Sequence, residues 1–319
     1  MKLDGSDHFD PFFELRRRTA RVCEHFPATY WSEMRRVRDF PSSFLRSLTQ
    51  FRLMSLTVPA KFGGAGLGIA AACAVVEEAH RLGCDFGRID LQYALCFALA
   101  CQADAPQRRP WMLDIASGHS RLQMSNVFRG GDEFVYQTTT TGARLSGQGV
   151  WPERTEHCEL ALLIAREDGR QNQTIAVVNV GATKGISLRA QWTDATKGQV
   201  SLVAKNAAVK RAELMPAEGV VSRANAAKEL LACAARLGDA RAICHSMLSK
   251  RSHTNVVSAD SVRARKVIRD TRAALGRATG LLDKGGECRQ AIGLAGEYSH
   301  KAVSVVANLF GAQDLAGNL

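Results

Sequence analysis

Eight histidines and nine cysteines are the side chains of this 319-residue chain best suited to metal binding or nucleophilic work. The histidines, at 8, 25, 80, 119, 157, 245, 253 and 300, show no ligand spacing, so a metal site is not expected. The cysteines, at 23, 73, 84, 96, 101, 158, 233, 244 and 288, are odd in number and form no CxxC pair. That argues against zinc and against a disulfide scaffold, and for reduced thiols in a cytoplasm. Four glycines fall within six positions at Gly63, Gly64, Gly66 and Gly68. Such a loop cradles phosphates only after a strand and within a βαβ unit. Its flanks here have helical periodicity, which excludes a dinucleotide fold or a P-loop. Finally, Arg263, Arg265, Lys266, Arg269, Arg272 and Arg277 gather on one side of a single helical stretch. Without interleaved aromatics the ordinary reading is a solvated or interfacial helix, and nucleic acid is not an expected partner.

The elements that position these groups follow an α+β order. Apolar residues at 46% and charged residues at 23% are ordinary for a globular chain, and the length suggests about two domains. The net charge of +11 fits either a basic solvated surface or an anionic ligand such as CoA, FAD or nucleic acid. Charge alone does not choose among them. The opening MKLDGSDHFD lacks the apolar core of a signal peptide, and the most apolar run, 91–103, is interrupted by Gln92 and Gln102 and too short to span a bilayer. A cytoplasmic protein with no membrane segment is therefore expected.

Helices are expected over 69–82, 89–102 and 111–116, after an N-terminal helix near Arg16 capped by Asp10 and another opened by Pro41. Strands are expected at 133–138, 143–146, 159–165, 174–180, 186–189 and 199–205, paired antiparallel into a small barrel-like sheet. Three long helices follow, over 222–251, 258–284 and 288–310, with Ile268, Thr271, Ala274, Leu275 and Leu282 on the apolar face of the second. Helix, then sheet, then helix divides the chain into a helical domain at 1–120, a β domain at 121–216 and a helical domain at 217–319.

Several motifs in this frame resemble the acyl-CoA dehydrogenases. Val58-Pro-Ala-Lys-Phe-Gly-Gly-Ala-Gly resembles the family's Val-Pro-x-x-x-Gly-Gly-x-Gly loop, and Trp111-Met-Leu-Asp-Ile-Ala-Ser-Gly118 resembles the turn before its sheet domain. Ser125, Gly130, Asp132, Gly147 and Trp151 fall where the family has its flavin-facing loop and Gly-x-Lys-x-Trp-Ile-Thr/Ser turn. The resemblance covers essentially the whole chain, although no single motif is unaltered. The chain stops at Leu319, where family members continue into a helix that often carries the catalytic glutamate.

The resemblance implies FAD as cofactor, provided the altered positions still hold it. Trp151 would pack on the isoalloxazine and Ser125 would offer a hydroxyl, whereas Pro152-Glu153 replaces the usual Ile-Thr/Ser and sets a negative charge beside the ring. Arg251 matches the arginine that reaches the cofactor pyrophosphate of a neighbouring subunit, although Gln-Phe after it has become His-Thr. An alternative family position for the base, near the start of the first C-terminal helix, holds Lys228, with Glu229 one residue beyond. One residue turns a helical side chain by about 100°, so Glu229 serves as the base only if the helix register slips. Each group also has a plain reading: Trp151 as a core residue of the sheet, Arg251 as a partner of the helix dipole and Glu229 as a solvated helix-start acid. The implied activity is that of an oxidoreductase on an acyl thioester or a specialised-metabolism intermediate. The implied assembly is a homo-oligomer or a hetero-oligomer with a full-length homologue. A non-catalytic partner subunit and a flavin-free enzyme on the same scaffold are the alternatives.

Overall fold

The computed structural model describes residues 10–37, 41–84, 89–101, 109–124, 133–151, 158–170, 172–191, 199–250 and 259–310. It divides into two compact units, the first comprising 1–57, 66–93 and 226–319 and the second 58–65 and 94–225. The α+β class expected from the element order is observed.

The first unit contains α1 (Phe13–Cys23), α2 (Ala28–Val37), α3 (Ser42–Gln50), α4 (Ile69–Arg81) and the start of α5 (Ile89–Ala100). Asp10 anchors the entry to α1, accepting the Phe12 N–H at 2.9 Å and Arg16 Nε at 2.8 Å. Behind α1 and α3, Phe44 meets the rings of Phe26 and Trp31 edge-on at 5.1 and 4.9 Å, an arrangement the aromatic quadrupole favours. Tyr93 is fully buried and satisfies its hydroxyl on the Leu53 carbonyl at 2.7 Å.

α4 begins without a capping side chain of its own. Its first free amides, Ile69 and Ala70, donate instead to Oδ1 and Oδ2 of Asp283 at 2.6 and 3.2 Å. Burial raises the Asp283 pKa, and these two hydrogen bonds offset part of the rise. The approach requires glycine at 68, because a Cβ there would lie 2.2 Å from Asp283 Cγ.

The rest of this unit is the last part of α7 (Ala217–Lys250), followed by α8 (Ala259–Asp283) and α9 (Arg289–Phe310). α8 turns Ala264, Thr271, Ala274, Leu275, Ala278 and Leu282 inward. α7 crosses α4 at Gly238, where a Cβ would sit 2.4 Å from the Glu77 carbonyl oxygen and 2.6 Å from His80 Cβ. Gly238→Ala is therefore expected to lower stability by about 1–3 kcal/mol, the usual range for overpacking. Chemical denaturation checks it: an unchanged midpoint would mean that the crossing relaxes freely.

The second unit holds α6 (Arg109–Ala116), a 3-10 turn over Ala60–Phe62 and one eight-stranded sheet. The strands are β1 (Leu122–Met124), β2 (Glu133–Thr138), β3 (Gly142–Trp151), β4 (Leu160–Glu167), β5 (Gln173–Asn179), β6 (Ile186–Gln191), β7 (Gln199–Lys210) and β8 (Leu214–Pro216). Their order is β6-β7-β3-β2-β4-β5-β8, and β1 adds to β4. Phe134, Leu145, Leu163, Ala176 and Leu202 build the core on one face.

Three features differ from the sequence expectation. The sheet is mixed, because β1 and β2 both run parallel to β4 while the other pairs are antiparallel. β3 continues to Trp151 rather than ending at 146, since a register shift between Leu145 and Gly147 absorbs the glycine that reads as a break. β7 likewise runs on to Lys210, with Asn206 in the left-handed region at φ 49°, where asparagine is tolerated. A 3-10 turn at 211–213 then leads into the short β8.

Candidate functional site

β1 and β2 lie along the same side of β4 as two segments of one interrupted strand. β1 pairs Leu122–Met124 with Leu160–Leu162, and β2 resumes at Phe134 opposite Ala165. Only Leu163 and Ile164 of β4 fall between the two registers, whereas nine residues, 125–133, separate Met124 from Phe134 in sequence. Among the described residues, the pairing of β2 with β3 begins at Glu133↔Gln148. β3 goes on through Gly149, Val150 and Trp151, which pair with Leu202, Ser201 and Val200 of β7 on the other side. The end of β1, the start of β2 and the last three residues of β3 therefore lie at one end of the sheet, next to residues 125–132 and 152–157, which are outside the described residues.

The sequence-expected residues are described unevenly. Trp151 is the last residue of β3, and its backbone pairing is described while its side chain is not. Ser125 follows β1 directly in sequence but lies outside the described residues, as do Glu153 and Arg251. Glu229 is described and exposed on α7, beside an exposed Lys228. It influences Cys288, whose thiol pKa is raised first by burial and further by Glu229 and Glu287. Among the described residues, no hydrogen bond or ion pair orients this carboxylate as a base.

A concavity opens at the other end of the sheet, with a volume of about 1320 Å³. Tyr136, Thr138, Glu167, Arg211 and Glu218 line it, together with the Thr139–Thr140 turn. Thr138 Oγ1 donates to Glu167 at 2.8 Å, Arg170 pairs with the same carboxylate at 2.9 Å, and Tyr136 Oη meets Thr174 Oγ1 at 3.1 Å. Along β3 this groove is about 30 Å from Trp151 at the rise of a strand. It is therefore separate from the end of the sheet at Trp151.

The strongest electrostatic feature was not legible from spacing. Glu77 and Glu78 are buried in the middle of α4, at 2% and 6% exposure. Glu77 takes Arg16 of α1 at 2.7 Å, Arg241 of α7 at 2.9 Å and Arg272 of α8 at 2.7 Å. Glu78 takes Arg81 at 2.5 Å and Arg241 at 3.3 Å. Burial pushes the Glu77 pKa upward, but Arg16, Arg272 and Arg241 outweigh it and hold it at about 2. Burial and the neighbouring cations lower the Arg241 pKa. One signal did exist in the sequence: two adjacent acids inside an otherwise alanine- and valine-rich helix. Both carboxylate oxygens of Glu77 accept from arginines, and the cluster joins α4 to α1, α7 and α8.

Thiol chemistry finds no support either. Cys158 is raised to about 12 by burial, with Glu159 adding to the effect. Cys73 and Cys244 are raised by burial as well. Hydrogen bonding between Cys23 and Cys84 raises the first and lowers the second. Among the described residues no group of histidine, cysteine or acidic side chains is disposed to hold a metal, and no helix is long and apolar enough to cross a membrane.

Residues 13–119 match the family model of the acyl-CoA dehydrogenase N-terminal domain. This segment is similar to an acyl-CoA dehydrogenase N-terminal domain. The chain as a whole has the acyl-CoA dehydrogenase-like fold, with an N-terminal helical domain, a middle β half-barrel and a C-terminal helical region. It is similar to a chain of the ChsE4–ChsE5 complex from Mycobacterium tuberculosis, at 16% identity and a TM-score of 0.72, covering 97% of this chain and 87% of that one. A putative acyl-CoA dehydrogenase from Mycobacterium smegmatis aligns at 15% identity and 0.74, covering 94% and 87%. PigA with FAD and proline aligns at 11% identity and 0.76, covering 97% and 89%. No curated protein matches the chain.

Proposed function

We propose that this acyl-CoA dehydrogenase-like chain is an oxidoreductase component that acts on an acyl thioester, or a related specialised-metabolism intermediate, with FAD held beside the end of β3. The likeness of residues 13–119 to the acyl-CoA dehydrogenase N-terminal domain carries the reading, together with Trp151 closing β3 at the position where the family resemblance sets the flavin. Ser125 and Trp151 are the residues of this chain that would hold the ring, and Arg251 would reach the pyrophosphate of a cofactor on a neighbouring subunit. A bound flavin supplies the two-electron acceptor for dehydrogenation beside a thioester carbonyl. The protein's own tasks are to pack the ring, exclude water from it and present a base to the α-proton.

Purified protein is expected to carry FAD, read from its visible absorbance, and folded Trp151→Ala is expected to lose most of it. Equal flavin content in the two proteins would leave Trp151 as a core tryptophan alone. A colourless wild-type protein that takes up no added FAD would remove the oxidoreductase reading altogether.

One observation favours a second reading. The base position of α7 offers an exposed Lys228 and an exposed Glu229, so this chain acts as the partner subunit of a heteromeric dehydrogenase in which a homologue supplies the carboxylate. The ChsE4–ChsE5 structure is of a two-protein complex, which supports an assembly of that type.

A further inference from the structure

α8 carries two opposed stripes. The inner one, Ser261, Ala264, Thr271, Leu275, Ala278 and Leu282, is buried. The outer one, Val262, Arg269, Ala273, Gly276 and Gly280, repeats at steps of seven, four, three and four residues, the spacing that keeps one face of a helix toward a partner helix. Among the described residues a Cβ added at Gly276 or Gly280 would meet nothing within 4 Å, and the same holds for Gly293 and Gly296 on α9, so a second backbone has room to come close. Large apolar side chains stand open on the same two helices: Val262 at 55%, Leu281 at 41%, Leu294 at 43% and Tyr298 at 36% exposure. Solvent-facing helices do not normally carry such a set.

Cations flank the outer stripe on both sides. Arg265 and Arg272 lie along one border, and Lys266, Arg277 and Lys284 along the other, all exposed. Arg272 is committed to Glu77, while Arg269 within the stripe has only Asp270 at 3.8 Å. Among the described residues, Arg265, Lys266, Arg277 and Lys284 have no acidic partner. Two copies of this face brought together would oppose these cations to one another, and like charges across an interface cost several kcal/mol. The small, apolar centre wants a helix against it, whereas the border excludes the chain's own copy.

We propose that the outer face of α8, with the adjoining exposed face of α9, docks a helix of a different chain whose facing surface is acidic, and that its cations select against self-association there. The inference rests on the partner-subunit reading and gives that reading its recognition chemistry. A polyanion such as nucleic acid would use the cations but would have no use for open glycines between exposed leucines.

The test uses the chain's own charge-reversed form as an acidic-faced probe. Lys266→Glu, Arg269→Glu and Arg277→Glu are combined in one variant, and circular dichroism confirms that it folds, as exposed positions lead one to expect. In sedimentation at low ionic strength, neither protein alone should associate through this face. Their mixture should form a heterodimer, weakened at least tenfold on moving from about 50 to 500 mM salt, as screening requires. Gly276→Trp in either partner should abolish it. Absence of a heterodimer overturns the proposal. So does self-association of the wild type that Gly276→Trp abolishes, which would make the face a homotypic interface. A labelled DNA or RNA duplex that binds the wild type tightly but not the triple variant would reassign the face to nucleic acid. Flavin content, which tests the functional reading, is measured separately on the same preparations, so that failure of one is distinguishable from failure of the other.

Discussion

Glu77→Gln is expected to cost about 3–5 kcal/mol of folding stability, the range for removing one member of a buried ion cluster. The carboxylate is shared by arginines from three other helices, and replacing it leaves Arg16, Arg241 and Arg272 facing an uncharged amide. Domains are stable by only about 5–15 kcal/mol, so the melting temperature should fall by on the order of 10 °C. The pH dependence has a definite sign. The Glu77 pKa is depressed from 4.5 to about 2. Its contribution is therefore fully present above pH 4.5 and is lost as the pH falls from there through about 2. A shift of that size corresponds to roughly 3 kcal/mol at ~1.36 kcal/mol per unit. Urea titrations of wild type and variant at pH 7 and pH 3 check both parts. The difference between the two proteins should shrink at the lower pH, and equal stabilities at pH 7 would show the cluster to be dispensable.

The second large effect is on turnover. Alone, this chain is expected to reduce flavin with saturated acyl-CoA thioesters at a rate lower by about 10²–10⁴-fold than an enzyme with a positioned base, the usual contribution of such a group. Lys228 occupies the residue the resemblance assigns to the base, and both it and Glu229 are exposed on α7. Glu153, at the position of the family's Thr/Ser, adds a negative charge where a reduced flavin would also be negative. Anaerobic mixing of FAD-supplemented protein with a range of thioesters reads this directly as bleaching. Fast bleaching by the chain alone would refute the expectation. If that activity then disappeared in Glu229→Gln and survived in Lys228→Ala, Glu229 would be the base and the helix register one residue from the one assumed. Bleaching only after a longer homologue is added would establish the partner-subunit reading.

The sequence by itself determined the local structure. The helix at Ile69 starts where Gly68 ends the glycine loop, the strand at Glu133–Thr138 has the bounds its β-branched and aromatic pattern implies, and α8 and α9 end within a residue or two of their periodicity. It also determined the fold class, because helix–sheet–helix order and the 58–68 loop are legible along the chain. These are short-range properties, set by side-chain spacing and backbone freedom over a few residues. Only the tertiary structure decided the rest. That β1 and β2 both run parallel to β4 depends on which edges meet. That Asp283 caps a helix 214 residues away, and that arginines 61 to 195 residues from Glu77 converge on it, depends on how α1, α4, α7 and α8 cross. Exposure of Glu229 is of the same kind, since a glutamate near a helix start reads alike whether a cleft or water lies in front of it. Partners distant in sequence are chosen by burial and by the need to satisfy every polar group within it, and no spacing along the chain encodes that choice.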